Sequence, residues 1–209
     1  MTGAAPLAMP GRGLRIFGLV LAGGGARRMG GADKALLALR GRPILSHVAA
    51  RFEPQVEALA LSANGDPARF SGFGWPVVSD ATPDRLGPMA GLLAGLDWMA
   101  GQGGSHLVTV SVDTPFVLCD LVARLLLAAE STDGPAIAES GGRIHPTCGL
   151  WPLALRDRLR AAIFAGERRI GHWATAQGAA RAVFAGDDPD PFFNVNTPAD
   201  LEAAERWLG

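Results

Sequence analysis

The chain has 209 residues, 48% of them hydrophobic, and a formal charge of −1. That length gives one ordinary domain with a real core. The near-neutral balance argues against broad nucleic-acid or membrane-surface binding, each of which draws on a basic excess. The two cysteines, Cys119 and Cys148, form neither a CxxC nor a metal-ligand spacing with histidine, which fits reduced, packed thiols in a cytoplasmic protein.

Residues 1–13 (MTGAAPLAMPGRG) are small, rich in Pro and Gly, and lack a long apolar core, so they read as a flexible tail and not a signal peptide. Residues 14–209 are then one domain. IFGLVLA (16–22) is a short apolar run that stops at glycine, as a buried parallel strand does. Helical spacing follows in ILSHVAARFE (44–53), then strands in VEALALSA (56–63) and WPVVSD (75–80). MAGLLAGLDWMA (89–100) predicts a helix closed by glycines. HLVTVSVD (106–113) predicts a strand and FVLCDLVARLLLAAE (116–130) an amphipathic helix. GPAIAES (134–140) and RIHPTCGLWP (143–152) suggest two strands, LALRDRLRAAIFAG (153–166) and IGHWATAQ (170–177) helices, and ARAVFAG (180–186) a last strand. TPADLEAAERWLG (197–209) opens as a helix should: Thr197 can cap, Pro198 takes the first position, and Asp200 and Glu202 suit the dipole. No run of apolar residues is long enough to span a membrane.

This alternation implies an α/β fold, a single-domain three-layer αβα sandwich around a mostly parallel sheet. Such sheets bind ligands at the carboxyl ends of their strands. Those ends carry Gly23–Gly25, Asp80 and Asp113, so distant loops should converge on one crevice.

The first of them is distinctive. Glycines after a strand let backbone N–H groups approach a ligand and nest a phosphate, and Arg27, Arg28 and Lys34 add charge. A glycine-rich turn with solvated cations is the competing reading. GxGxxG fails because Arg28 stands where a third glycine is needed, and GxxxxGK[ST] fails because Asp33 precedes Lys34 and Ala35 follows it. Asp113, between an apolar strand and Thr114–Pro115, is a good hard ligand for Mg²⁺, or else a helix-capping loop acid. Asn194 and Asn196 lie two apart, and in extended chain would face one side. Four histidines (47, 106, 145, 172) are scattered and read as structural.

LAGGGARRMGGADKALL (21–37) resembles the signature loop of the nucleotidyltransferases similar to sugar-phosphate pyrophosphorylases, and within them the molybdenum cofactor guanylyltransferases. The elements LAGG, RRMG and DK stand at Leu21–Gly24, Arg27–Gly30 and Asp33–Lys34. The resemblance continues through GRPILSHV (41–48), SDATPDRLGPMAGLLAGL (79–96), VSVDTPF (110–116), IHPT (144–147), GERRI (166–170) and FNVNTPADL (193–201). It implies a Rossmann-like nucleotidyltransferase sheet and transfer of GMP from GTP to the terminal phosphate of molybdenum-molybdopterin, with release of pyrophosphate. It further implies Mg²⁺ on Asp113, Arg28 and Lys34 as catalytic cations, and a nucleotide site from Leu21, Ala22, Gly23, Gly24, Lys34, Ser62, Asp80 and Asp113. Gly87, Gly91, Asn194 and Asn196, with Arg168 and Arg169, would meet the pterin or its phosphate. Ser62 departs from the family's VNAN-like run, where an asparagine is usual; Asn64 matches the second asparagine. Expected partners are GTP, molybdenum-molybdopterin and other cofactor-assembly proteins or molybdoenzyme chaperones, without nucleic acid or membrane. The alternatives are a CTP-dependent cytidylyltransferase, whose loops tend to read LAAG and DIDTP instead of LAGG and NVNTP, a sugar-phosphate nucleotidyltransferase, whose chains are usually longer, a catalytically inactive nucleotide-binding module, and a carrier of the finished cofactor.

Overall fold

In a computed structural model, which describes residues 13–23, 33–80, 87–132 and 134–208, the apolar runs assemble into a seven-stranded sheet. In chain order the elements are β1 (Ile16–Leu21), a two-residue hairpin of β2 (Ala38–Leu39) and β3 (Arg42–Pro43), α1 (Ile44–Phe52), β4 (Ala58–Ser62), β5 (Val77–Val78), α2 (Pro88–Gly101) and β6 (His106–Ser111). They continue as α3 (Leu121–Ala129), β7 (Ala136–Ser140), β8 (Arg143–Pro152), α4 (Arg156–Phe164), α5 (Ile170–Ala176), β9 (Ala180–Phe184) and α6 (Pro198–Trp207). The sheet order is β5-β4-β1-β6-β8-β7-β9. β5, β4, β1 and β6 are parallel, β8 runs against both β6 and β7, and β9 is parallel to β7.

Alternation along the strands explains the three layers. Val20, Val108 and Val110 face one way and join α1 and α3; Phe17, Leu19, Leu21 and Leu107 face the other and join α2, α4 and α5. A third, smaller cluster of Leu39, Ile44, Phe116, Val195 and Ala204 seats α6. The α2 layer is pressed close to the sheet because Gly91 and Gly95 lie one turn apart on its inner face. A Cβ on Gly91 would come within 2.5 Å of Ser62 Oγ, and one on Gly95 within 2.5 Å of a Leu19 methyl.

The structure departs from the sequence expectations in four places. HLVTVSVD stops as a strand at Ser111, and Val112–Asp113 form a turn held by Thr114 Oγ1 donating to the Ser111 carbonyl at 2.7 Å. The helix expected over 116–130 begins only at Leu121. Phe116 and Val117 are apolar and buried but serve different clusters, so no single helix face could carry both. Gln55 fixes this late start, accepting from the Val122 N–H and donating to the Leu118 carbonyl. WPVVSD contracts to Val77–Val78, and the helix expected from residue 153 begins with a 3₁₀ turn over Leu153–Leu155. Two further 3₁₀ segments, Lys34–Leu36 and Pro67–Phe73, had no periodic signal.

Candidate active site

Parallel strands β4, β1 and β6 end side by side, so the segments that leave them meet at one edge. Residues 21–23, 62–64 and 111–113 come together there through Val112 N–H bonding the Leu21 carbonyl at 3.0 Å and Ala22 N–H bonding the Ser62 carbonyl at 2.8 Å. These bonds have a consequence for ligand reading. The Leu21 carbonyl and Ala22 N–H, which belong to the expected nucleotide site, are already engaged in the sheet, so the backbone groups free to read a ligand begin beyond Ala22 N–H. Gly23 is exposed and open around its Cα. Gly24 and Arg28 lie outside the described residues.

Lys34 is carried by the 3₁₀ turn that follows, where Asp33 Oδ1 caps by accepting from Ala35 N–H at 3.1 Å. Its ammonium crosses to β6's end and donates to Asp113 Oδ2 at 2.9 Å and to Asn196 Oδ1 at 2.6 Å. Both charged side chains are mostly covered, at 16% and 19% exposure for Lys34 and Asp113. Asp113 is tied to the same neighbourhood by its backbone, whose carbonyl accepts from Val195 N–H at 2.9 Å. Val195 is fully buried in the α6 cluster, and its neighbour Asn196 is exposed. Asp200 steadies the segment by accepting from Asn196 and Thr197 N–H. The sequence-predicted residues Lys34, Asp113 and Asn196 thus form one hydrogen-bonded constellation across 162 positions of chain.

One atom in it is unfulfilled. Asp113 Oδ1 is buried with no hydrogen-bond partner among the described residues. A buried carboxylate oxygen left bare costs free energy unless a cation or donor arrives, so the donor set fits a hard divalent ion bound through one carboxylate and substrate oxygens. No group of three or more His, Cys, Asp or Glu side chains placed to hold a metal occurs among the described residues.

A second constellation closes the β4 side. Asn64 Nδ2 donates to Asp80 Oδ2 at 2.8 Å, and Asp80 N–H donates back to Asn64 Oδ1 at 3.1 Å. This pair joins the exits of β4 and β5, with both residues at least partly open to solvent. Ser62 points elsewhere: it is 3% exposed and lies against Gly91 on the α2 face. Gly91, expected to let a ligand approach, makes its close approach to Ser62 and Leu21. Gly87, by contrast, is exposed and opens α2 with φ +74°, a backbone only glycine adopts freely.

The two arginines of GERRI separate. Arg168 donates to the Ile163 carbonyl at 2.8 Å and to the Glu167 carbonyl at 2.7 Å, closing the C-terminus of α4. Arg169 precedes α5 and is exposed. Glu167 orders them by accepting from the N–H groups of both and from His172 Nδ1, which pull its carboxyl down to about 2. Sequence reasoning passed over Arg69, whose guanidinium meets Asp33 and the carbonyls of Asn64 and Asp66.

With this geometry in place, the comparisons with known proteins agree. A MobA-like NTP transferase domain matches residues 18–182. The chain is 55% identical over 195 residues to a molybdenum cofactor guanylyltransferase of Cereibacter sphaeroides, covering 93% of this chain and 98% of that one. It is 46% identical over 211 residues to the protein of that name from a Bradyrhizobium species, covering 99% and 96%. In fold it is similar to molybdopterin-guanine dinucleotide biosynthesis protein A of Archaeoglobus fulgidus, with a TM-score of 0.68, 22% identity, and coverage of 92% and 98%. It is likewise similar to 4-diphosphocytidyl-2C-methyl-D-erythritol synthase of Anaerococcus prevotii, at 0.72, 12% identity, and coverage of 93% and 96%. The chain belongs to the MobA-like NTP transferase family.

Proposed function

We propose that this protein transfers GMP from GTP to the terminal phosphate of molybdenum-molybdopterin, releasing pyrophosphate and forming the guanine dinucleotide cofactor. The observation that carries the reading is the Lys34–Asp113–Asn196 constellation at the ends of β1 and β6, with one carboxylate oxygen that has no partner among the described residues. The relatives' shared name supplies the substrates.

In the reaction an oxygen of the acceptor phosphate forms a bond to the α-phosphorus of GTP, and the bond from that phosphorus to the bridging oxygen of pyrophosphate breaks. The nucleophile is ionised at neutral pH, so no protein base is required; the protein's work is to position two anions and offset their charge. Lys34 serves as a point charge for the phosphates, and Arg28 adds a planar fork. Gly23 and Gly24 bring backbone N–H groups to the phosphates. Asp113 would hold Mg²⁺, which would supply charge stabilisation at the α-phosphate. Asn64 and Asp80 offer an amide and a carboxylate to the nucleoside. On the acceptor side Asn194, Asn196 and Arg169 contact the pterin phosphate, and Gly87 leaves room for it at the start of α2. Leu21, Ala22 and Ser62 shape the floor below the nucleoside, and Gly91 lets α2 approach it. No helix among the described residues is long and apolar enough to cross a membrane, and the free Cys119 and Cys148 support a place in the reducing cytoplasm.

The test is a matched assay of purified protein with Mg²⁺, molybdenum-loaded pterin and either GTP or CTP, following pyrophosphate and the dinucleotide. Turnover with GTP alone is expected. Turnover with CTP would keep the chemistry and overturn the base choice; silence with both, from folded protein that binds nucleotide, would overturn the enzyme. Omitting Mg²⁺ should abolish the reaction, and full activity in excess chelator would refute the metal role of Asp113.

A further inference from the structure

We propose that Arg69 is a positioning residue for nucleotidyl transfer, holding Lys34 in place through Asp33. Arg69 stands on the 3₁₀ segment Pro67–Phe73 that follows β4. Its Nε donates to Asp33 Oδ2 at 2.7 Å, across 36 positions of chain. Its other two nitrogens donate to main-chain carbonyls, one to Asn64 at 2.7 Å and one to Asp66. The guanidinium also lies 4.4 Å from the ring centre of Phe70, which is 2% exposed and fixed in the core. Three donors, together with the contact over a fixed ring, leave this side chain one position.

What it fixes is Asp33. One carboxylate oxygen of Asp33 is held by Arg69, and the other caps the turn Lys34–Leu36 through Ala35 N–H. Ala35 is fully buried, so the turn has a rigid floor. Lys34 is the first residue of that turn, and from it the ammonium spans to Asp113 and Asn196. A lysine side chain alone is a flexible stem; here its backbone origin is set by an aspartate whose own rotamer is locked from a different strand exit. The ion pair itself, at 28% and 25% exposure, contributes little to global stability. Its effect is directional, and an error on the order of 1 Å in placing a charged group can cost about 10²-fold in rate. A lysine at 69 could keep the charge near Asp33 but not the fork to Asn64 and Asp66.

The inference rests on Lys34 acting on the phosphates, and the experiment separates the two. Steady-state kcat and KM for GTP are measured with Mg²⁺ and the loaded pterin for Arg69→Ala, Arg69→Lys and Asp33→Asn, each alone and combined with Lys34→Ala, with thermal midpoints alongside. Arg69→Ala alone is expected to lower kcat/KM by about 10- to 100-fold, chiefly in kcat, with Arg69→Lys recovering part and Asp33→Asn showing a similar loss. On top of Lys34→Ala, the same changes should have almost no effect, because the residue they position is gone. Equal losses in both backgrounds, or a near-wild-type Arg69→Ala, would overturn the proposal. If Arg69→Ala fails to fold, the Asp33→Asn pair gives the same comparison. Undiminished turnover in Lys34→Ala alone would refute the role of Lys34 itself.

Discussion

Two polar clusters stand at the same edge of the sheet, and they are built in opposite ways. One is Lys34, Asp113 and Asn196, beyond the ends of β1 and β6. The other is Ser140, His145 and Asp190, where β7 ends and β8 begins. There Ser140 Oγ donates to Asp190 Oδ2 at 2.7 Å and, its single proton spent, accepts from His145 Nε2 at 2.8 Å. Asp190 Oδ1 accepts from Phe192 N–H, and the His145 ring stacks on Phe192 at 4.7 Å. Ser, His and Asp side by side would suggest a nucleophile, but the order of the bonds is wrong for one: the hydroxyl gives its proton to the acid rather than to the imidazole. Every polar atom named in this cluster has a partner, whereas Asp113 Oδ1 has none among the described residues. A site leaves hydrogen-bonding capacity for its ligand; a support satisfies its own. The second cluster holds residues 190–192, and so the approach of the chain to Asn194 and Asn196, without touching the charged group it presents.

If that distinction is right, changes in the first cluster remove turnover and spare the fold, and changes in the second do the reverse. The largest effect is expected from Asp113→Ala, which should take pyrophosphate release to the detection limit while far-UV circular dichroism and the thermal midpoint stay near wild type. Turnover close to wild type would mean that the metal is held elsewhere. Next comes Lys34→Ala, expected to lower kcat by about 10²- to 10³-fold, as loss of one preorganised charge in a covered site does. A loss confined to KM would make Lys34 a group that binds ground and transition states alike.

In the second cluster, Ser140→Ala leaves Asp190 Oδ2 and His145 Nε2 facing each other across the vacated hydroxyl. Losing the bridge should cost about 1–3 kcal/mol, or roughly 2–4 °C in thermal midpoint per kcal/mol for a chain of this size. kcat should remain close to wild type. A large fall in kcat at unchanged stability would make Ser140 part of the chemistry and erase the contrast between the clusters.

The same contrast explains what could be read from the sequence. Elements with clear bounds were legible: RIHPTCGLWP is β8 from end to end, and α6 starts with Thr197 and Asp200 capping reciprocally. Lys34, Asp113 and Asn196 were legible because each sits at a strand end or in a motif that chemistry restricts. Supports were not. Arg69 is one arginine in a polar stretch, and its worth lies in Asp33, Asn64 and Asp66, which spacing does not announce. Arg168 and Arg169 read as a pair, yet one closes α4 and the other precedes α5. Gly91 read as a ligand-facing glycine because a glycine that admits a substrate and one that admits a neighbouring strand look the same in sequence. The antiparallel β8, inserted between β6 and β7, was legible as a strand but not as a neighbour, since period 2 tells which face is buried and not which strand lies alongside.

The smallest effects expected are pH steps in stability, and they divide the supports once more. Burial pushes His145 below its usual 6.5, with the Asp190 carboxylate opposing and Arg143 adding to the shift. The folded protein therefore holds His145 neutral while the unfolded chain takes up a proton below 6.5. Stability from this group is complete above that value and declines as pH falls through it toward the lower folded value. Glu167 behaves in a separate window. Its carboxyl, pulled to about 2 by the Arg169 N–H, His172 and the Arg168 N–H, stays ionised in the folded state where the unfolded chain protonates near 4.5. Its contribution is complete above 4.5 and fades between 4.5 and about 2. Thermal midpoints measured from pH 8 downward should thus show two shallow declines. His145→Gln should reduce the first and not the second, and Glu167→Gln should reduce only part of the second, because the Glu57 and Asp200 carboxyls are lowered as well. A first decline unchanged in His145→Gln would mean that protonation of His145 is not what loosens the β7–β8 corner, and the satisfied cluster would then owe its stability to Ser140 and Asp190 alone.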